Sequence, residues 1–319
     1  MRQHFCHPIA YSLAAFALLA PAQAAQTAPE PSVTLTVTDL SPKFLALYDE
    51  AIKEQASPDR RWELWKKMYH FAAVPPTPQG EKMARTLFDQ AWPRYPSVLE
   101  RIRGGAASVR PTADKQLKAV AALLRPAKPV HVELLVYVGG LEDNAFTVAY
   151  EGQITTAIPI ESPPDTRETL MTHEFTHAVQ IGIGSFSGSF QRTVGTIVLT
   201  EGLASRVTQK LFPNCPETDS IEFTPGWLKQ AEQRRIEILR GIRPFLMSDK
   251  ADDIERFTIG PGPAGLEREA YYVGWLVVGD WLSHGMSVSE IARIPEKEMP
   301  QRVAAEIDAL LTASASPRQ

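Results

Sequence analysis

A chain of 319 residues is long enough for one large domain or two modest ones, each with a full hydrophobic core. Its 44% apolar and 22% charged residues exclude global disorder, while 26 prolines indicate a loop-rich chain with stiff connections. A net charge of −4 with no basic block lacks the electrostatic footprint of a protein that holds nucleic acid or an anionic membrane.

The chain opens with Arg2 as the only fixed side-chain charge before a short apolar run, Ile9 to Ala20. Pro21-Ala22-Gln23-Ala24 then supplies small residues at the −3 and −1 positions of a cleavage site. Residues 1–24 therefore read as a secretory signal peptide, and cleavage after Ala24 is expected to yield an exported, periplasmic or secreted protein. No membrane span is expected, because this run falls short of the roughly 20 apolar residues a bilayer crossing needs and no later stretch reaches that length. Cleavage removes Arg2 and Cys6, taking the net charge from −4 to −5 and leaving Cys215 without a disulfide partner.

From about Ser41 to Leu124 the pattern is helical. Phe44, Leu45, Leu47, Tyr48 and Ile52 recur at helical spacing, as do Trp62, Trp65, Met68 and Tyr69, and such an aromatic stripe reads as core. After Pro126 and Pro129 the period changes. His131 to Val138, Phe146 to Tyr150 and Ile154 to Ile160 read as three short strands, with Gly139-Gly140 ending the first. The expected organisation is a mainly helical region at 25–128 followed by a domain at 129–319.

Pro163-Pro164-Asp165 opens a helix for which Asp165, with Glu168 three positions on, is the expected N-cap and Gly182 the expected C-cap. Within it stands His173-Glu174-Phe175-Thr176-His177. Residues i and i+4 share one helical face, so both imidazoles can reach one ion, and the stripe Leu170, His173, His177, Ile181 turns them inward. Glu174 lies beside the ion without ligating it, placed to take a proton from the metal's water. With 7 histidines in the chain, composition alone would produce such a motif by chance in roughly 1% of cases.

A catalytic zinc usually takes three protein ligands and keeps the fourth position open. A second helix, expected from about Gln191 to Leu211, has an inward stripe of Val194, Ile197, Val198, Ala204 and Leu211 that is interrupted at Glu201. A buried carboxylate needs a metal or an arginine, Arg206 being the arginine within reach on the same helix. Gly202 beside it leaves room for a close helix neighbour.

His173-Glu174-Phe175-Thr176-His177, followed 24 positions later by the Glu of Thr200-Glu201-Gly202-Leu203-Ala204, resembles the gluzincin metallopeptidases, whose third zinc ligand is a Glu on the next helix. With His177-Ala178-Val179-Gln180, the likeness is closer to bacterial families described only as zinc-dependent proteases. Ala270-Tyr271-Tyr272-Val273-Gly274-Trp275 is similar to the segment whose Tyr bonds the tetrahedral intermediate in aminopeptidase-type gluzincins. The resemblance spans roughly residues 130–300. It implies an α+β fold, mostly helical: a thermolysin-like catalytic domain with a small β-sheet next to the metal helix, behind an N-terminal helical region. It also implies one Zn2+ per chain on His173, His177 and Glu201, with Glu174 as general base, Tyr271 as oxyanion donor and Tyr272 as the alternate. Ile154 to Ile160 precedes the metal helix as the substrate-pairing edge strand does in gluzincins.

Two departures qualify the resemblance. No G-x-M-E-N sequence, the amine-binding motif of the aminopeptidase type, precedes His173, and Ser205 stands where thermolysin-like members carry an Asp that orients a histidine. The expected function is an exported zinc metallopeptidase acting on a peptide or protein substrate. The alternatives are an inactive binding or assembly factor of the same fold and a zinc hydrolase of a non-peptide amide or ester.

Overall fold

Val33-Thr34-Leu35-Thr36-Val37-Thr38 alternates apolar and polar side chains with the period of a strand, and it forms β1 (Val33–Asp39), a strand outside the three expected ones. The computed structural model describes residues 32–189, 191–222 and 224–315; the expected export segment 1–24, with Arg2, Cys6 and the cleavage point at Ala24, lies outside them. Strand β1 runs parallel to β2 (Val130–Tyr137), with Val33 opposite Val130 and Asp39 opposite Val136. The sheet thus draws strands from both sides of residue 129. Strand β2 in turn runs parallel to β4 (Gln153–Pro159), and β3 (Phe146–Tyr150) pairs antiparallel with β4, giving the order β1-β2-β4-β3.

That order corrects one expectation. The strand at 154–160 is interior, and the edge on its side of the sheet is β3. The cause is the parallel pairing of β4 with β2 on one side and, on the other, the two-residue turn Glu151-Gly152, with φ of 48° and 83°, the left-handed pair that folds β3 and β4 into a tight hairpin.

Between β1 and β2 the chain is helical: α1 (Ser41–Lys53), α2 (Pro58–Leu64), α3 (Pro78–Ala91), α4 (Leu99–Gly104) and α5 (Arg110–Leu124). The aromatic stripe lies in the core. Trp62 stacks on Trp65 at 4.4 Å, and Phe44 meets Tyr69 and Tyr95 edge-on at 5.5 and 4.8 Å. On the inner face of the sheet Val132, Leu134 and Val136 are fully buried, each worth about 1.5–3 kcal/mol of apolar burial.

After β4 come α6 (Pro164–Ile183), α7 (Val194–Leu211), α8 (Thr218–Ile221), α9 (Trp227–Gln233), α10 (Arg235–Ile242), α11 (Ala251–Thr258), α12 (Glu269–Ser283), α13 (Val288–Ile291) and α14 (Met299–Ala315). The molecule is mostly helical with one small mixed sheet, an α+β arrangement. Among the described residues no helix is long and apolar enough to cross a membrane.

Both expected caps of α6 are corrected. Its N-cap is Pro163, with Pro164 in the first turn and no side-chain cap. Proline's fixed φ starts the helix two residues earlier than an Asp165 cap would, and Asp165 becomes a favourable charge in the first turn. At the other end the left-handed cap is Gly184, with φ 84°. Gly182 lies within the last turn, where a Cβ would come 2.5 Å from Val130. Helix α7 begins at Val194 rather than near Gln191, because the Thr193 hydroxyl caps it by accepting from the Thr196 N–H at 3.2 Å.

Helices α7 and α12 meet main chain to main chain. A Cβ on Gly202 would lie 2.2 Å from the Gly274 carbonyl oxygen, and one on Gly274 would lie 2.1 Å from that of Val198. Neither neighbour is a side chain that can turn aside. Gly202→Ala is therefore expected to cost at or beyond the upper end of the roughly 1–3 kcal/mol of ordinary overpacking, read as a fall in the denaturation midpoint. An unchanged midpoint would mean the helices separate freely.

Candidate metal centre

Helix α6 is packed by the sheet on one side and by α5 and α7 on others, so it is buried around most of its circumference, with apolar Met171, Phe175, Ala178 and Val179 beside polar Thr172, Thr176 and Gln180. His173 and His177 project from it toward α7, where Glu201 is the one carboxylate within a buried run from Val194 to Ser205. Glu201 Oε2 lies 3.0 Å from His173 Nε2 and 3.3 Å from His177 Nε2. All three ligand atoms fall within 4.8 Å of one another, and they are a group that can hold a metal ion. Metal–ligand bonds of about 2.0–2.1 Å in a tetrahedron place donors about 3.4 Å apart, so the two carboxylate–imidazole separations fit a small divalent cation. The chemistry of the set, two neutral nitrogens and one anionic oxygen, fits as well.

The electrostatics of the three residues are mutual. Burial by itself would raise the Glu201 pKa, but the two imidazoles outweigh it and hold the carboxyl well below its usual range. Burial would likewise lower that of His173, and the bond and charge of Glu201 reverse this and raise it. Arg206 is not the partner of Glu201. It bonds the Trp275 carbonyl and lies over the Trp275 ring, while the arginine near Glu201 is Arg192, with Nη2 3.5 Å from Oε1.

Glu174, one residue round from His173, is 7% exposed and borders the same cavity, and its Oε2 has no hydrogen-bond partner among the described residues. The same is true of Nδ1 of His177. Ser205 is buried in the cavity lining. Of the two candidate tyrosines, Tyr271 lines the cavity, with the Arg268 guanidinium 5.3 Å from its ring centre. Tyr272 turns into the core and meets Trp227 edge-on at 6.3 Å. Burial first and the Glu201 charge second raise the Tyr271 pKa, so its phenol remains a donor.

The cavity has a volume of about 540 Å³. Its walls include residues that no periodicity marks: Glu142, Asp143 and Asn144 on one loop, Arg192 on another, and Arg268 ahead of α12. The first loop is held in a costly conformation. Leu141 and Asp143 have φ of 65° and 52°, each worth about 1–3 kcal/mol of strain in a non-glycine residue. The restraints are phenols and one carboxylate. Tyr69 donates to the Val138 carbonyl at 2.9 Å, Tyr95 to that of Gly139 at 2.8 Å, and Tyr137 to that of Asn144. The Gly139 N–H donates to Glu161 Oε1 at 2.9 Å.

Glu161 is 1% exposed, and burial pushes its carboxyl up to about 7. A group raised from 4.5 to about 7 favours folding while protonated, so its contribution is full below pH 4.5 and is lost as pH rises to about 7. Relative to Glu161→Gln, the wild-type protein should lose about 3 kcal/mol across that window. Urea unfolding of both proteins from pH 4.5 to 8 reads this difference, and a pH-independent difference would contradict it.

No family model matches the sequence, and no curated protein sequence matches it. Among solved structures the chain is similar to an aminopeptidase N family protein from Idiomarina loihiensis, with 11% identity and a TM-score of 0.36 over 66% of this chain and 40% of that one. The matched part is therefore well under two thirds of that protein's length.

Proposed function

We propose that the chain is an exported zinc-dependent peptidase that hydrolyses peptide bonds with a gluzincin arrangement of residues. The observation that carries this reading is the set of three donor atoms, His173 Nε2, His177 Nε2 and Glu201 Oε2, gathered at coordination distances on a cavity that also holds an unpartnered carboxylate oxygen of Glu174. In this reading residues 1–24 direct export, and residues 129–319 form the thermolysin-like catalytic domain, with β1 completing its sheet.

Zinc bound by the three residues supplies a Lewis acid and acidifies water. Glu174 accepts the proton of the attacking water and returns it to the leaving nitrogen. Tyr271 donates to the oxygen on which charge develops. On the edge strand β3 the Ala149 N–H is already taken by the Gly188 carbonyl, so an extended peptide can add to its backbone around Thr147, in the cavity wall. Six carboxylates line the cavity against the two guanidiniums of Arg192 and Arg268, and with a divalent cation bound a formal charge of about −2 is left, which favours substrates bearing positive charge.

The test is metal analysis of the purified protein together with hydrolysis of a mixed peptide library carrying free and blocked ends. Zinc near one per chain with metal-dependent cleavage is expected. Zinc without cleavage of any peptide would favour a binding factor or a hydrolase of another amide or ester.

The two tyrosines give a sharper check. Tyr271→Phe should lower kcat by roughly 10²–10³-fold with KM little changed, as for loss of a donor used in the transition state. Tyr272→Phe, in the core against Trp227, should leave kcat near wild type. Steady-state kinetics in which the two results exchange places would transfer the role to Tyr272.

A further inference from the structure

We propose that Arg192 is a positioning residue for the metal centre, holding Glu201 so that a single carboxylate oxygen faces the ion. This role rests on the metal-binding reading above and belongs to a residue that the motif does not contain. The two oxygens of Glu201 have different surroundings. Oε2 is the atom within 3.0 and 3.3 Å of the imidazoles, and Oε1 is turned to Arg192 Nη2 at 3.5 Å. A carboxylate free to rotate can present both oxygens to a cation and so occupy a position that a catalytic site keeps open. A guanidinium on Oε1 opposes that rotation.

Arg192 is itself fixed. Its guanidinium lies over the Phe186 ring at 5.4 Å. The segment between α6 and α7 that carries both residues is fastened at several points. The Ser187 N–H donates to Glu296 Oε2 at 2.8 Å, the Glu296 N–H to the Ser185 carbonyl at 2.7 Å, and the Ala149 N–H to the Gly188 carbonyl at 3.3 Å. This segment joins the two ligand-bearing helices, so its anchorage is passed to Glu201 through one side chain. The arrangement also complements a gap. His177 Nδ1 lacks, among the described residues, the orienting partner that metal-bound histidines usually have, and here it is the carboxylate ligand that receives one.

The test compares the full-length protein with Arg192→Gln and Arg192→Lys, with His173→Ala as reference. Zinc affinity is measured by chelator competition, and the visible spectrum of the cobalt-substituted protein reports coordination number. Arg192→Gln should bind zinc 10–100-fold more weakly, the usual effect of removing a partner that orients a ligand. Its cobalt spectrum should shift toward higher coordination, and Arg192→Lys should fall between it and the wild type. Unchanged affinity and spectrum in Arg192→Gln, with only KM for peptides altered, would overturn the proposal and make Arg192 a substrate contact. Wild-type zinc affinity retained in His173→Ala would instead remove the metal-binding reading, and the two failures are distinguishable.

Discussion

Glu174→Gln is expected to abolish most hydrolysis, by at least about 10²–10⁴-fold, while the protein keeps its fold and its full complement of zinc. The amide fills nearly the same volume, so the packing of a residue only 7% exposed is preserved. Glu174 Oε2 accepts no hydrogen bond from any described residue, so the substitution breaks no internal bond there. What it removes is the ability to accept a proton. The loss should appear in kcat, because Glu174 moves protons in the chemical step and does not hold the peptide in the ground state. Near wild-type turnover with zinc bound would refute the mechanism.

Loss of a ligand should have the complementary signature. His173→Ala, His177→Ala and Glu201→Ala should each weaken zinc binding by more than about 100-fold, beyond the usual range for a partner that only orients a ligand. Activity is then lost together with the metal. Glu201→Ala is the most informative of the three, because the carboxylate is 4% exposed and serves both imidazoles and Arg192. Removing it leaves the arginine facing the histidines with no intervening anion. It should also let the His173 pKa fall back, since the bond and charge of Glu201 are what raise it against burial. An NMR titration of the metal-free variant would show this as a histidine that deprotonates at lower pH than in the wild-type protein. Elemental analysis finding full zinc in Glu201→Ala would take this residue out of the ligand set.

The parts of the site that were legible in the sequence are those that depend on local periodicity. His173 and His177 lie one turn apart on any α-helix, and a carboxylate at position 201 in an otherwise apolar stripe signals burial by its placement alone. The three strands after Pro129 are likewise a local pattern. Features set by distant pairing were not legible. Val33 to Thr38 alternates with strand periodicity, yet its partner begins 97 residues further on, and nothing local identifies it. Which strand lies at the edge was decided by the parallel pairing of β4 with β2, a non-local contact that strand propensity does not encode. The cavity walls were the least legible. Glu142 and Asp143 reach the site because three phenols and Glu161 hold an unfavourable loop conformation, and Arg192 reaches it from a segment with no regular period.

The backbone contact between Gly202 and Gly274 bears on how the protein can be re-engineered. It sits next to Glu201 on one helix and three residues from Tyr271 on the other, so the spacing between those side chains is the least adjustable dimension of the cavity. On the proposed reading, selectivity by contrast belongs to the rim. Glu142 to Ala145, Gly188, Ser189 and Arg192 supply part of the wall and contribute no metal ligand. A directed-evolution library confined to these positions, with Arg192 kept as the partner of Glu201, should retain folded, metal-binding members far more often than one spread over α7 and α12. The helix pair is the part of the scaffold to leave untouched.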